Sequence, residues 1–260
     1  CLLLGARSME GYSVPVVQKD TLSDQVIRFL LGLISDRQLK VGDTVPSEGQ
    51  VAELLKVSRN VVRESYRALA VVGVLSVQSG KKPQIREIDP NVLAQFFSYA
   101  AATRQVSAQQ ILELRRVIEI QTAALAATNA TDEELQRIRE AGQRLHELPL
   151  FDPEWIQCDY ALHLAIAEAV HNPLFPIQLL ALRAPLEESI RVGMQSMVSS
   201  HTDSSIVVLH DRLVQAICSR DSVAAAYAME QHFLAPVSAM LNMGVAKLKE
   251  EKVEQQNRQS

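Results

Sequence analysis

At 260 residues, with 26 Lys/Arg against 30 Asp/Glu, the chain has a net charge of −4, which excludes a polycation that binds nucleic acid over its whole surface. Hydrophobic residues make up 47% and aromatics 5%, a balance that favours helices in two domains, each able to bury its own core. Cys1, Cys158 and Cys218 show no paired spacing, so neither a disulfide framework nor a zinc finger is implied, and a reducing cytosol fits best.

The charge is unevenly spread. Residues 19–88 hold eleven Lys/Arg against eight Asp/Glu, and the rest of the chain 15 against 22. A basic front and an acidic rear fit a DNA-binding head on a regulatory body. Residues 1–18 read as irregular, and the opening Cys1-Leu2-Leu3-Leu4 run is far too short to span a bilayer.

Thr21 to Ser35 is predicted as an amphipathic helix with Val26, Ile27, Leu30, Leu31 and Ile34 inward. Val41-Gly42-Asp43 reads as a turn. Ser47 can cap a second helix, with Glu48 in its first turn and Val51, Leu54 and Leu55 on one face. Lys56-Val57-Ser58 breaks that pattern, and Ser58 can cap a third helix, about Arg59 to Val72, that buries Val62, Tyr66, Leu69 and Ala70. Gly73 stands as a C-cap glycine. Val74 to Val77 reads as a strand, Ser79-Gly80-Lys81-Lys82 as a turn and Pro83 to Arg86 as the return strand.

Helix, turn, helix and basic hairpin in that order outline a winged helix-turn-helix, so double-stranded DNA is the expected partner. The start of the third helix would present Ser58, Arg59, Asn60 and Arg63 to the major groove, where arginine can bond guanine bidentately. Gly80 permits close backbone approach in the wing, and Lys81 and Lys82 attract phosphate.

Asp89-Pro90-Asn91 restarts a helix to about Thr103, a connector apolar enough to pack on the second domain. From Ser107 every segment reads helical: 107–128, 131–147, 153–171, 173–198, 204–219 and 221–248. The expected organisation is therefore mainly α. It runs from an irregular segment (1–18) through a winged head (19–88) and a connector (89–106). An all-α six-helix domain (107–246) and a disordered tail (247–260) complete it.

Asp159 and His163 lie four apart on one predicted helix, hence on one face, and His210 and His232 lie on later helices. A carboxylate with three imidazoles suits zinc, nickel, manganese or iron. From spacing alone, an ion pair or a satisfied core histidine is the commoner explanation of Asp159–His163, and no spacing rule ties His210 and His232 to them. His146, His171 and His201 are the competing imidazoles, each near a predicted helix end.

These residues resemble a known family. The front, with PSE, VSRNVVRES and the glycine-lysine wing, is similar to the GntR family of bacterial transcription regulators. The rear resembles the FCD ligand-binding domain of the FadR-type subgroup through ILELRRVIE (111–119), CDYALHLAIAEAVHNPLF (158–175) and LHDRLVQAICSRDSVAAAYAMEQHF (209–233).

The resemblance implies a homodimer paired mainly through its FCD domains, with two heads reading a palindromic operator from the cytoplasm. It implies a divalent metal, zinc foremost, held by Asp159, His163, His210 and His232, and a small carboxylate effector beside it. Arg59 and Arg63 would be the main DNA contacts, supported by Ser58, Asn60, Gly80 and Lys81. Arg115 and Glu119 match the family's R-x-x-x-E pattern. Arg115 either binds the effector carboxylate or forms an intrahelical salt bridge with Glu119 on the surface. One departure is Gly49, where the family usually has a DNA-touching Arg; glycine in a helix also costs about 1 kcal/mol against alanine.

The expected function is transcription regulation, most simply repression relieved by the effector. The alternatives are a helical metalloenzyme and a constitutive DNA-binding dimer. Against an enzyme, the chain has no HExxH and a single E-x-x-H, Glu168–His171, where a di-metal bundle needs two.

Overall fold

The computed structural model describes residues 20–150, 152–185 and 203–234. The expectations for residues 1–18, for the tail, for the ends of the 173–198 and 221–248 helices and for His201 lie outside the described residues. The chain divides into two compact units, one ending at Ile88 and the other starting at Asp89.

In the first unit, α1 (Leu22–Asp36) starts at a capping box between Thr21 and Asp24. α2 (Glu48–Leu55) starts at a second box between Ser47 and Gln50. It ends where Lys56 turns left-handed at φ 53°, with Val57 N–H donating to the Ala52 carbonyl. That reversal carries the chain directly into α3 (Arg59–Val71), capped by Ser58. α3 ends in a Schellman motif: Gly73, at φ 80°, donates to Ala70, and Val74 donates to Leu69.

The core of the head is Val26, Leu30, Val51, Val62, Tyr66, Leu69 and Leu75, all buried. Ser65 joins them, its hydroxyl 2.9 Å from that of Ser23. Two expected core residues point elsewhere. Leu31 and Leu54 are 43% and 64% exposed, because each lies at the edge of an apolar stripe whose centre is already filled.

The wing is shorter in regular structure than its sequence suggests. β1 (Leu75–Ser76) pairs antiparallel with β2 (Gln84–Ile85), with Leu75 opposite Ile85 and Ser76 opposite Gln84. Thr44 adds a bridge to Gln84, and Val45 donates to the Pro83 carbonyl, so the two residues that follow the Val41-Gly42-Asp43 turn supply a third edge. Gly80 takes φ 74° in the hairpin turn, a left-handed conformation that glycine adopts without strain.

The second unit begins with α4 (Pro90–Ala102), capped by Asp89. Its Phe97 and Ala101 pack on Ile111 of α5 (Ala108–Asn129) and on Leu182 of helical residues 174–185 (α8). α6 (Asp132–Arg144) and α7 (Pro153–Glu168) follow, then α9 (Asp203–Cys218) and helical residues 222–234 (α10). α6 lies so close to α9 that a Cβ on Gly142 would stand 2.9 Å from Val214 Cγ2, so any larger residue there would force the Val214 side chain to move.

The main core gathers Ala123, Ile138, Trp155, Leu162, Ile166, Leu213, Ile217 and Met229 from α5, α6, α7, α9 and α10. Small residues along α5, notably Ala123, Ala126 and Ala127, let the neighbouring helices approach. That closeness brings polar groups of α5, α7, α9 and α10 together.

Candidate metal centre and nucleic-acid interface

Asp159 and His163 project from α7, His210 from α9 and His232 from α10, and one donor atom of each lies within 4.8 Å of all the others. His163 Nε2 is 3.2 Å from His232 Nε2 and 3.9 Å from Asp159 Oδ1. His210 Nε2 is 2.8 Å from Asp159 Oδ1. With metal–ligand bonds of about 2.1 Å, donors around one ion sit roughly 3–4 Å apart, so the four atoms already frame one coordination sphere.

The donors are also short of hydrogen-bond partners. Asp159 Oδ1, both ring nitrogens of His210 and His232 Nδ1 are buried without one. His210 Nε2 and Asp159 Oδ1 are close, but their approach does not have the geometry of a hydrogen bond. Buried polar groups left this way are costly unless something else satisfies them. A cation does so, and the donor set fits one.

Protonation favours the same use. Burial by itself would raise the Asp159 carboxyl, but His210, His163 and His232 outweigh it and hold the group well below the usual carboxylate range. Burial, reinforced by His210 and His163, pushes His232 well below the ordinary histidine value, so its ring is neutral with a lone pair to offer. Burial would lower His163 too, but Glu119 outweighs it and raises the group.

Arg115 is brought to the same neighbourhood, but not on the surface. Arg115 and Glu119 are 7% and 4% exposed, and the Arg115 Nε–H donates to Glu119 Oε1. Glu119 Oε2 accepts from His163 Nδ1–H. The Arg115 guanidinium also stands 5.7 Å from the Phe233 ring centroid. Tyr160 is a residue the sequence did not single out. Its hydroxyl is buried without a partner, and the Arg183 guanidinium lies 4.2 Å over its ring. Nothing in an i, i+4 pattern flags it; only its position directly after Asp159 could have.

The other described histidines pair elsewhere: His146 with Asp211 at 2.7 Å and His171 with Glu134 at 2.9 Å. Both are about half exposed and apart from the cluster.

In the head, Ser58, Arg59, Asn60 and Arg63 are exposed at the start of α3, while Gly80 and Lys81 are exposed at the wing tip. Ser58 Oγ accepts from the Val61 N–H, so its hydroxyl is already used as a cap. Arg63 Nε lies 3.3 Å from Glu48 Oε2, a pairing of α3 with the start of α2 that sets the direction of the guanidinium. The nearest atom to a Cβ on Gly49 is Arg59 Nη2, at 3.9 Å, so position 49 has room for a side chain. Gly49→Ala is expected to stabilise α2 by about 1 kcal/mol, read as roughly fivefold greater hydrogen-exchange protection of its amides. Unchanged or lower protection would show that the helix needs glycine there.

A winged helix-turn-helix head followed by an all-helical domain with a buried ligand cluster defines a DNA-binding transcription regulator with a sensor domain. Residues 22–82 match bacterial regulatory proteins of the gntR family, and residues 110–235 match the FCD domain. An Escherichia coli (strain K12) protein whose name assigns it to regulation of the L-lactate dehydrogenase operon is 32% identical over 225 residues, covering 84% of this chain and 85% of its own. The HTH-type transcriptional regulator LutR of Bacillus subtilis (strain 168) is 29% identical over 202 residues, covering 77% of this chain and 92% of its own. The solved structure of a Streptococcus agalactiae GntR protein matches with a TM-score of 0.61 at 26% identity, over 82% of this chain and 98% of that one. The chain belongs to the GntR family of bacterial transcription regulators and carries a C-terminal FCD domain. It is a regulator and not an enzyme.

Proposed function

We propose that the chain is a repressor whose operator binding is modulated by a small carboxylate bound beside a divalent metal in the FCD domain. The observation that carries this reading is the buried cluster of Asp159, His163, His210 and His232, whose donor atoms converge within 4.8 Å and among which Asp159 Oδ1 and His210 Nε2 have no hydrogen-bond partner. Zinc is the first choice for an Asp/His3 set, with nickel, manganese or iron as alternatives. When bound, the ion supplies a fixed positive anchor for an oxygen ligand.

Charge supports the carboxylate. Asp159 and Glu119 carry two negative charges against the one positive charge of Arg115, and an imidazole that binds a metal does so in its neutral form and adds none. A divalent ion turns that single negative charge into a single positive one, which one carboxylate group neutralises. The Escherichia coli relative named for the L-lactate dehydrogenase operon points toward the same chemical class.

Two copies would pair to read a palindrome, each presenting Arg59 and Arg63 to the major groove, with Ser58, Asn60, Gly80 and Lys81 on the phosphates. Apolar side chains exposed on α4 (Leu93, Phe96, Tyr99) and α5 (Leu114, Val117) provide surface for that pairing. The effector acts only to the extent that it prefers one arrangement of the dimer over another. Operator binding places the protein in the cytoplasm. Among the described residues no helix is long and apolar enough to cross a membrane.

The test is elemental analysis of purified protein with a thermal-shift screen of acetate, lactate and succinate. Zinc retained at one equivalent per chain, with stabilisation by a monocarboxylate that needs the metal, is the expected result. Protein that holds no metal and responds to none of these acids overturns it. For the head, Arg63→Ala is expected to weaken operator binding by roughly 1–3 kcal/mol in fluorescence anisotropy while the dimer persists. Unchanged binding removes Arg63 from the interface.

A further inference from the structure

The three imidazoles of the cluster are not supported alike. His210 has neither ring nitrogen in a hydrogen bond, and His232 Nδ1 has no partner either. Only His163 has its far nitrogen held by a carboxylate: its Nδ1–H donates to Glu119 Oε2. Glu119 lies on α5, 44 positions before His163, so the bond ties the cluster to a helix that supplies none of its donors.

Both oxygens of Glu119 are committed. Oε1 accepts from Arg115 Nε–H, one helical turn earlier on α5, and Oε2 from His163. A buried carboxylate needs such pairing. A charged acceptor at Nδ1 fixes the ring in one tautomer, with the lone pair on Nε2, the nitrogen that faces His232 and Asp159.

We propose that Glu119 is the positioning residue of the metal centre, fixing His163 for coordination through Nε2, and that Arg115 acts through Glu119 rather than on the effector. This rests on the metal reading above. It settles the two roles the sequence left open for Arg115 on a buried ion pair that serves the ligand shell. Partners of this kind orient metal-bound histidines and raise their basicity, and their removal costs about 10–100-fold in metal affinity.

The experiment measures zinc affinity of the full-length chain by competition with a chromophoric chelator, for wild type, Glu119→Gln, Glu119→Leu, Arg115→Met and the Arg115→Met/Glu119→Gln double variant. Glutamine keeps an acceptor but not the charge, and leucine removes both. Affinity should therefore fall in the order wild type, Gln, Leu, spanning about 10–100-fold. Arg115→Met should fall with Glu119→Gln, and the double variant should be little worse than either single one, because the two act as a unit.

Two readouts separate positioning from a merely structural role. The visible absorption of the cobalt-loaded protein should change in Glu119→Gln while its far-ultraviolet circular dichroism does not. In the zinc-loaded wild type, nitrogen-15 NMR should place the His163 proton on Nδ1; a proton on Nε2 overturns the proposal without any variant. Wild-type zinc affinity in Glu119→Gln overturns it as well. So does an Arg115→Met protein that keeps its zinc affinity but loses monocarboxylate binding, since Arg115 would then meet the effector itself. A wild-type chain with no zinc affinity would instead remove the parent reading.

Discussion

His210→Ala is expected to empty the metal centre while leaving unliganded operator binding in place. His210 is 1% exposed on α9, and its Nε2 is 2.8 Å from Asp159 Oδ1. It is the donor that brings α9 into a cluster otherwise built on α7 and α10. Alanine removes one of four ligands, and no other described carboxylate or imidazole reaches the gap: His146 and His171 are engaged with Asp211 and Glu134. Dialysed wild type should retain about one zinc per chain and the variant none. Added zinc at a hundred times its dissociation constant should stabilise the wild-type FCD domain by about 2.7 kcal/mol and the variant by none. The carboxylate response should disappear with the metal, because its anchor is gone. A variant with full metal content would show that the ligand set excludes His210.

Much of this architecture is legible in the sequence because it is local. Ser47, Ser58, Asp89, Thr131 and Asp152 each sit one residue before a helix and bond its first-turn amides, a rule that needs no tertiary information. The same holds for Gly73 after α3. Leu31 and Leu54 were misplaced because apolar spacing gives the direction of a buried stripe but not its width, and short helices in a small head have little core to share. The Thr44 bridge escaped notice because a single paired residue leaves no alternation to read.

The site divides in the same way. Asp159 and His163 share a helix face by arithmetic, whereas His210 and His232 join them only through the packing of α9 and α10, which spacing does not encode. Family resemblance supplied that step. Arg115 and Glu119 show the limit most clearly. An i, i+4 ion pair reads the same on a solvated face and in a core, and what decides is His163, 44 residues later than Glu119. The pairing of Arg63 with Glu48 across the turn was likewise out of reach, because α2 and α3 meet at an angle that only the fold defines.

Trp155→Ala is expected to cost the FCD domain about 3–5 kcal/mol of stability and to weaken the metal centre with it. Trp155 is fully buried in the first turn of α7. Its indole N–H donates to the Leu145 carbonyl at 3.2 Å, at the end of α6. Its ring meets His210 edge-on, with centroids 5.8 Å apart at 70°. One side chain therefore ties α6 and α7 to His210 on α9, a donor of the proposed metal centre. Alanine leaves a large cavity and strips His210 of a wall, so the gain in stability on adding zinc should shrink as well. Trp155→Phe separates the contributions. It keeps most of the packing but leaves the Leu145 carbonyl without that donor, for a loss of about 1–3 kcal/mol. The chain has one tryptophan, so unfolding of both variants must be followed by circular dichroism or amide exchange rather than by indole fluorescence. An alanine variant that loses less than about 1 kcal/mol, or whose response to zinc matches wild type, would show that α6, α7 and the His210 side chain are held in place by other contacts.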